Sequence, residues 1–146
     1  MNIFTMLKND HKELLAVMDK MLVSSNQETK KFDESFQKFK AEFMLHDKIE
    51  DEILYPKLLE IPELKQLILK SYQAHHVVEV AILELRITPY SNENWLPKFS
   101  VVYDCIKHHI EEEESVVFPE AEKLLDKNEM DNLTAMAKEY KDKNKS

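Results

Sequence analysis

Two segments of this chain follow one template: HDKIEDEILYP at residues 46–56 and HIEEEESVVFP at residues 109–119. In each segment a histidine is followed four residues later by a glutamate, and an aromatic residue and a proline close the segment. The second segment begins sixty-three residues after the first, and the same offset aligns Phe36 with Phe99 and Phe43 with Ile106. Because the apolar residues recur at the three-and-four spacing of one helical face, the repeat predicts two related helical hairpins.

Helical periodicity extends over most of the chain. It predicts a first helix over about 3–23, a second ending near Pro56, a third from Pro62 to before Pro89, a fourth capped by Asn94 and a shorter fifth from about residue 128. The long helices have short connections, which favour an all-α, up-down-up-down four-helix bundle with a short additional C-terminal helix. We expect a single domain over 1–146, with its core at about 3–125 and the C-terminal helix and tail at about 128–146.

Composition and net charge disfavour some classes of binding partner. The chain has 146 residues, no glycine and a net charge of −8. Its acidity disfavours nucleic acid as a partner, because phosphate backbones repel an acidic surface. It shows no secretory leader and no run of about eighteen apolar residues, so we expect a cytoplasmic protein with no membrane partner. Its single cysteine, Cys105, excludes an internal disulfide and is expected to be a buried thiol.

The repeated histidine and glutamate have a spacing that suits a metal ion. Side chains four apart on a helix have Cβ atoms roughly 5–6 Å apart on one face, so His46 with Glu50, and His109 with Glu113, can reach one ion. A single pair of this kind arises readily by chance. Here both pairs lie within apolar stripes, where a carboxylate needs a cation. His11 lies in the corresponding stripe of the first helix.

The third helix offers two adjacent histidines, and the apolar pattern does not separate them. His75 is followed at core spacing by Val78 and Ile82, and His76 nearly as well by Val80 and Leu83. With either one, four histidines and two glutamates exceed the four ligands of a tetrahedral zinc site and suit two ions bridged by carboxylates. Nitrogen and oxygen ligands favour iron, with manganese or zinc as alternatives.

This order of motifs resembles the hemerythrin-like, HHE cation-binding domains. The family pattern is a histidine on helix one, an HxxxE motif, a histidine on helix three and a second HxxxE motif. Its matches in this chain are His11, His46 with Glu50, His75 with its neighbour His76, and His109 with Glu113. The acidic residues after each glutamate, Asp51 and Glu114, and the aromatic-proline endings also look like the family. The resemblance covers roughly residues 3–125 and favours His75 over His76 as the ligand.

The resemblance implies two iron ions, Fe²⁺ or Fe³⁺, bridged by carboxylates and by an oxo or hydroxo group. The implied ligands are His11, His46, Glu50, His75, His109 and Glu113, with Glu50 and Glu113 as the bridges. Oxygen-carrying hemerythrins have a fifth histidine four residues after the helix-three ligand, where this chain has Glu79, so reversible oxygen storage is in doubt. Glu79, His76, His108 and Tyr72 are therefore candidates for additional ligands or for groups that support the ligands. Tyr55 and Phe118 are expected mainly to pack in the core.

These patterns predict a metal-binding and small-ligand-binding protein rather than an enzyme. The expected function is a non-haem diiron protein that binds O₂, NO or peroxide at the metals, in sensing, iron handling or stress response. The alternatives are a diiron enzyme that reduces peroxide or NO, and an iron donor for the repair of iron centres. The sequence does not name the physiological ligand, the redox or signalling partner or the oligomeric state.

Overall fold

The computed structural model describes residues 1–144, and every regular element in that range is helical. The α-helices are α1 (Ile3–Leu22), α2 (Lys30–Ile49), α3 (Tyr55–Leu58), α4 (Lys65–Ile87), α5 (Trp95–Glu112), α6 (Phe118–Leu124) and α7 (Lys127–Lys143). A 3₁₀ turn, Pro62–Leu64, leads into α4. The helical class and the approximate positions of the long helices agree with the sequence prediction. Helix α1 packs on α2, and α4 packs on α5.

Each HxxxE motif ends in a π-helical turn, which the periodicity did not predict. The turns are Glu50–Leu54, between α2 and α3, and Glu113–Val117, between α5 and α6. In the first, the Tyr55 N–H donates to the Glu50 carbonyl five residues back, and in the second the Phe118 N–H donates to Glu113. The helical path therefore continues past both prolines instead of ending at them.

The second π-turn changes which residue enters the core after Glu113. Regular helical spacing continued from His109 and Glu113 predicts Val116 on the inner face of the fourth helix, but Val116 is 40% exposed and its neighbour Val117 is fully buried. A π-turn holds one more residue per turn than an α-helix, so it rotates the following side chains by about one position. Asn94 is the N-cap residue of α5, as predicted, but its side chain makes no capping hydrogen bond to the helix.

The buried apolar residues form two clusters, one on either side of a polar layer. One cluster contains Leu7, Ile49 and Phe118, and the other contains Leu14 and Phe43. On α1, His11 lies between Leu7 and Leu14, and on α2 the corresponding histidine lies between Phe43 and Ile49. The predicted metal-binding histidines are therefore enclosed above and below by the hydrophobic core.

Helix α7 contacts α1, α2 and the first π-turn. The Ile3 N–H donates to the Thr134 hydroxyl at 2.9 Å, and Lys57 forms a 2.8 Å ion pair with Glu129. Asp126 and Glu129 form a capping box that begins the helix. Within the described residues, none of the helices has both the length and the apolar character that a bilayer span requires.

Candidate metal centre

Six of the predicted side chains meet in the polar layer. Their donor atoms form two groups, within each of which all atoms lie within 4.8 Å of one another. The first group is His11, His46, Glu50 and Glu113, and the second is Glu50, His75 and His109. The shared Glu50 makes the two groups a single cluster, to which α1, α2, α4 and α5 contribute the histidines.

The histidines form two pairs with the same internal separation. The Nε2 atoms of His11 and His46 are 3.1 Å apart, and those of His75 and His109 are also 3.1 Å apart. The sequence repeat is thus visible in space, because each HxxxE histidine is paired with a histidine of the preceding long helix. Two ligand atoms that each lie about 2.1 Å from one metal ion are roughly 3–4 Å apart, so each pair has the spacing of two ligands to one ion.

The two glutamates span both histidine pairs. Glu50 Oε1 lies 3.4 Å from His46 Nε2 and 3.1 Å from His75 Nε2. Glu113 places Oε1 3.2 Å from His11 Nε2 and Oε2 3.7 Å from His109 Nε2. Both carboxyl groups are completely buried, and among the described residues Glu50 Oε2 and Glu113 Oε1 have no hydrogen-bond partner. Since buried carboxylate oxygens without partners are costly, these atoms fit metal cations.

Three of the four histidines are oriented by an acidic side chain on their other ring nitrogen. His11 Nδ1 lies 2.6 Å from Glu114, His75 Nδ1 lies 2.8 Å from Asp51, and His46 Nδ1 lies 3.3 Å from Asp10. These contacts leave each Nε2 facing the cluster, as metal-ligating histidines require. Asp10 was not predicted, although an acidic residue directly before His11 was a signal in the sequence.

The tyrosine of the first HxxxE segment contributes a polar group at the centre of the cluster. The Tyr55 hydroxyl donates to Glu113 Oε2 at 2.5 Å and lies 3.2 Å from Glu50 Oε1. It is also 3.4 Å from the Nε2 atoms of His75 and His109. Tyr55 is fully buried and its ring stacks on His75, so the packing role predicted for it is only part of its role.

A comparison with protein-family models matches residues 2–121 to the hemerythrin HHE cation-binding domain. The chain belongs to the hemerythrin HHE cation-binding family. A search of solved structures finds the crystal structure of a hemerythrin HHE cation-binding domain-containing protein from Mycobacterium kansasii, with a TM-score of 0.80 and 20% sequence identity. The match covers 98% of this chain and 89% of that chain, and it shows a common fold. A search of the curated proteins finds no significant match.

Protons supply positive charge within this HHE domain when no metal is bound. Burial lowers the pKa of His75, but the hydrogen bonds that its ring donates to the Asp51 and Glu50 carboxylates outweigh burial and raise the pKa to about 11. Burial likewise disfavours charge on His46, but Glu50 and Asp10 raise its pKa well above the usual value. Burial raises the pKa of Glu50, whereas His46 and His75 lower it well below the usual value. Two imidazolium groups therefore surround one carboxylate.

For the other members of the HHE cluster, the pKa shifts favour the neutral form. Burial and the neighbouring charge of Glu50 raise the pKa of Glu113 well above its usual range. Burial lowers the pKa of His109 to about 4, and burial together with the charge of His46 lowers that of His11. A metal ion that binds here must displace the protons, so its affinity for the HHE domain should depend on pH.

The four further candidates of the sequence analysis lie outside the cluster. His76 and His108 are exposed, and the His108 Nε2 is only 4.0 Å from an oxygen of Glu112. Glu79 is half-buried and lines a separate groove between α2 and α4. The Tyr72 hydroxyl donates to the Asp51 carbonyl at 3.0 Å. In a π-turn that carbonyl would accept a hydrogen bond from the N–H of residue 56, but Pro56 has no N–H. The Tyr72 hydroxyl donates to this carbonyl instead and so supports the turn.

One buried acidic residue beside the HHE cluster was not predicted. Asp47 follows His46 in the sequence, is only 2% exposed, and places Oδ1 3.5 Å from His75 Nε2. Burial and the charge of Glu50 raise its pKa well above the usual range, although His75 opposes them. An acidic residue directly after the histidine lies outside the HxxxE spacing, so that motif did not indicate Asp47.

A small cavity adjoins the metal-binding cluster on the side of the apolar cluster that contains Leu14 and Phe43. It has a volume of about 20 Å³ and is lined by the four cluster histidines, Asp47 and apolar side chains that include Phe43, Val78 and Ile106. His109 is the most accessible of the four histidines, with 14% of its side chain exposed.

Cys105, one turn before His109, is exposed, so the expectation of a buried thiol was wrong. Cys105 lies on the outer face of α5 with Val101 and His108, which are also exposed.

Proposed function

We propose that this HHE domain is a non-haem diiron protein that binds a small diatomic molecule or peroxide at a pair of iron ions. The observation that carries the proposal is the arrangement of two histidine pairs, each 3.1 Å across, with both glutamates within reach of both pairs. The donors are nitrogen and oxygen atoms, which suit iron, and manganese or zinc are the competing metals. We further propose a single domain with the predicted up-down arrangement of the four long helices.

The protein residues have distinct tasks in this proposal. His11 and His46 would hold one ion, His75 and His109 would hold the other, and Glu50 and Glu113, which lie near both histidine pairs, would serve both ions. The acidic groups on the Nδ1 atoms keep the Nε2 lone pairs directed inward and make the rings better ligands. When bound, ferrous ions would supply the electrons that a small oxidant takes up. The Tyr55 phenol, whose O–H points at Glu113, holds a proton at the centre of the site.

The adjoining cavity supports a small ligand rather than an organic substrate. A volume of about 20 Å³ admits one water-sized molecule, which matches O₂, NO or peroxide in scale. Its apolar walls exclude bulk water from the metals. The domain would bind such a molecule in sensing, iron handling or a stress response.

A second candidate is a diiron enzyme that reduces peroxide or NO. The position of the Tyr55 hydroxyl favours it, because reduction of peroxide to water consumes protons and this phenol lies within 3.4 Å of two histidines and both glutamates. An enzyme consumes many equivalents of oxidant per chain when a reductant is supplied. A binding protein changes its spectrum once per site. An iron donor for repair would instead release its metal readily to a chelator.

The first experiment is elemental analysis of the tag-free protein after anaerobic loading with ferrous iron. We expect close to two irons per chain and a visible absorption band that dithionite bleaches and air restores. His46→Ala should lower the iron content, whereas His76→Ala, a change at the exposed neighbour of His75, should retain it. An iron-free parent protein, or equal iron in parent and His46→Ala, would contradict the proposed site.

A further inference from the structure

We infer that the outward face of α4 is a docking surface for a second copy of this chain, whose own α4 packs against it in the antiparallel direction. The face is a row of exposed residues opposite the buried side of the helix, which we call the α4 seam: Leu69, Gln73, His76, Val80, Leu83 and Ile87. Self-association through this surface is independent of the proposed metal centre.

Exposed apolar side chains are concentrated on α4. Within residues 1–144, twelve large apolar side chains are exposed, and five of them lie on this one helix: Leu69, Val77, Val80, Leu83 and Ile87. Val101, which is 60% exposed on the neighbouring α5, lines a groove between the two helices with Val77 and extends the same patch. A contiguous apolar patch on a chain with a net charge of −8 indicates a surface that binds another molecule.

The seam residues have the spacing of a helix–helix contact. They follow one another at alternating intervals of four and three residues from Leu69 to Ile87, which is the a/d pattern of a coiled coil. Four of the six are apolar. The other two, Gln73 and His76, are polar, and polar residues at such positions fix the register of a helix pair at some cost in stability. A second helix therefore fits along the seam over about 27 Å.

The charges beside the seam favour a second copy in the antiparallel direction. In an antiparallel pair Lys70 faces Glu84 of the second copy, and the two-fold symmetry repeats this attraction at the other end of the seam. Both side chains are exposed, at 66% and 59%, so they can reach across the contact although each also pairs with a residue of α5. A parallel pair would instead bring Glu79 beside Glu84 of the second copy, where the like charges repel. The surface is thus complementary to itself.

The dimer should be weak, because a contact about 27 Å long lies at the small end of specific interfaces. Analytical ultracentrifugation of the full chain from about 10 μM to about 1 mM should show a monomer–dimer equilibrium. Leu83→Lys places a charge at an exposed seam position and should weaken the dimer at least about tenfold. Met136→Lys, which changes a similarly exposed apolar residue of α7, should leave the equilibrium unaltered. A chain that stays monomeric, or equal affinities for the parent and Leu83→Lys, would overturn the inference.

Disulfide cross-linking tests the direction of the second copy without the charged variant. Leu69→Cys and Ile87→Cys are each made in a chain that carries Cys105→Ser, because Cys105 is exposed. Antiparallel packing places position 69 beside position 87 of the second copy, whereas the two copies of position 69 are about 27 Å apart, beyond the roughly 7 Å that a disulfide spans.

Under mild oxidation, an equimolar mixture of these two variants should give a mixed disulfide dimer, and each variant alone should give none. Mass spectrometry identifies the linked positions. Dimers formed by one variant alone would indicate parallel packing, and a mixture without cross-links would indicate that the seam binds a different partner. Either result would overturn the inference.

Discussion

Lys141 Nζ lies 2.5 Å from Oδ1 of Asp10, although 131 positions separate the two residues in the sequence. The other oxygen of Asp10 lies 3.3 Å from Nδ1 of His46. The last helix, α7, is therefore connected through Asp10 to a histidine of the candidate metal centre. Within residues 1–144 this connection has no equivalent at His109, because Ala74 takes the place before His75 that Asp10 takes before His11.

Lys141→Met should weaken both the docking of α7 and the orientation of His46. The Lys141 side chain is 31% exposed and Asp10 is 15% exposed, so we expect the free energy of unfolding to fall by about 1 kcal/mol. Urea denaturation of the metal-free protein measures the change. Lys143→Met is the matched control, because Lys143 pairs with Glu139 on the exposed face of the same helix and should have almost no effect. Equal losses for the two variants would argue against a specific role of the Asp10 contact.

Tyr55→Phe should change the metal centre without preventing folding. Phenylalanine occupies the matching position, Phe118, in the other half, so the ring fits this environment. We expect two metal ions per chain and a shifted visible spectrum, because the phenol no longer contacts Glu113. The measurement is the absorption spectrum of the iron-loaded protein. Tyr90→Phe removes a hydroxyl that donates to Asp33, away from the cluster, and should leave the spectrum unchanged. Identical spectra for all three proteins would contradict this prediction.

Removal of metal should lower the melting temperature. Metal that binds only the folded chain adds about 2.7 kcal/mol per site at a free concentration one hundred times the dissociation constant. For a chain of this size, two such sites correspond to roughly 10 °C or more. Calorimetry of loaded and chelated protein measures the difference. In Glu50→Gln, which loses the shared carboxylate, loading should raise the melting temperature much less, and a full-sized increase there would contradict the bridging role of Glu50.

The metal-free protein should become less stable as the pH rises above about 6.5. The folded-state pKa of His75 is about 11, above its ordinary value of 6.5, so protonated His75 contributes its full stability below pH 6.5. That contribution is lost as the pH rises from 6.5 through about 11. Urea midpoints at several pH values in this window test the trend. Asp51→Asn weakens the interaction that raises this pKa, so its slope should be shallower than that of the parent.

Metal binding at neutral pH should release protons into solution. His75 is protonated near pH 7 and must lose its proton to ligate, whereas His109, with a pKa of about 4, is already neutral. Titration calorimetry in buffers of different ionisation enthalpy counts the released protons. We expect at least one per chain, and apparent affinity should increase with pH. Enthalpies that do not depend on the buffer would show that no net proton is exchanged.

The helical class, the approximate positions of the long helices and the family follow from local patterns. Apolar residues at helical spacing determine which face of each helix is buried, and His46 with Glu50 and His109 with Glu113 lie on those faces because four residues are about one turn. The choice of His75 over His76 depended on the family resemblance. In the structure His75 is buried in the cluster and His76 is exposed. Their roles as ligand and non-ligand remain predictions.

Other features depend on contacts between distant segments, which spacing along one helix cannot express. The π-turns reorient the residues after each glutamate, so that Val117 instead of Val116 enters the core. Asp10 contacts Lys141 on α7, and Asp47 lies close to His75 on α4, so both positions depend on how these helices pack. The sequence by itself determined which residues could share a helix face and hold a metal pair. Only the tertiary structure decided which further polar groups are buried beside that pair, because burial depends on how the helices pack against one another.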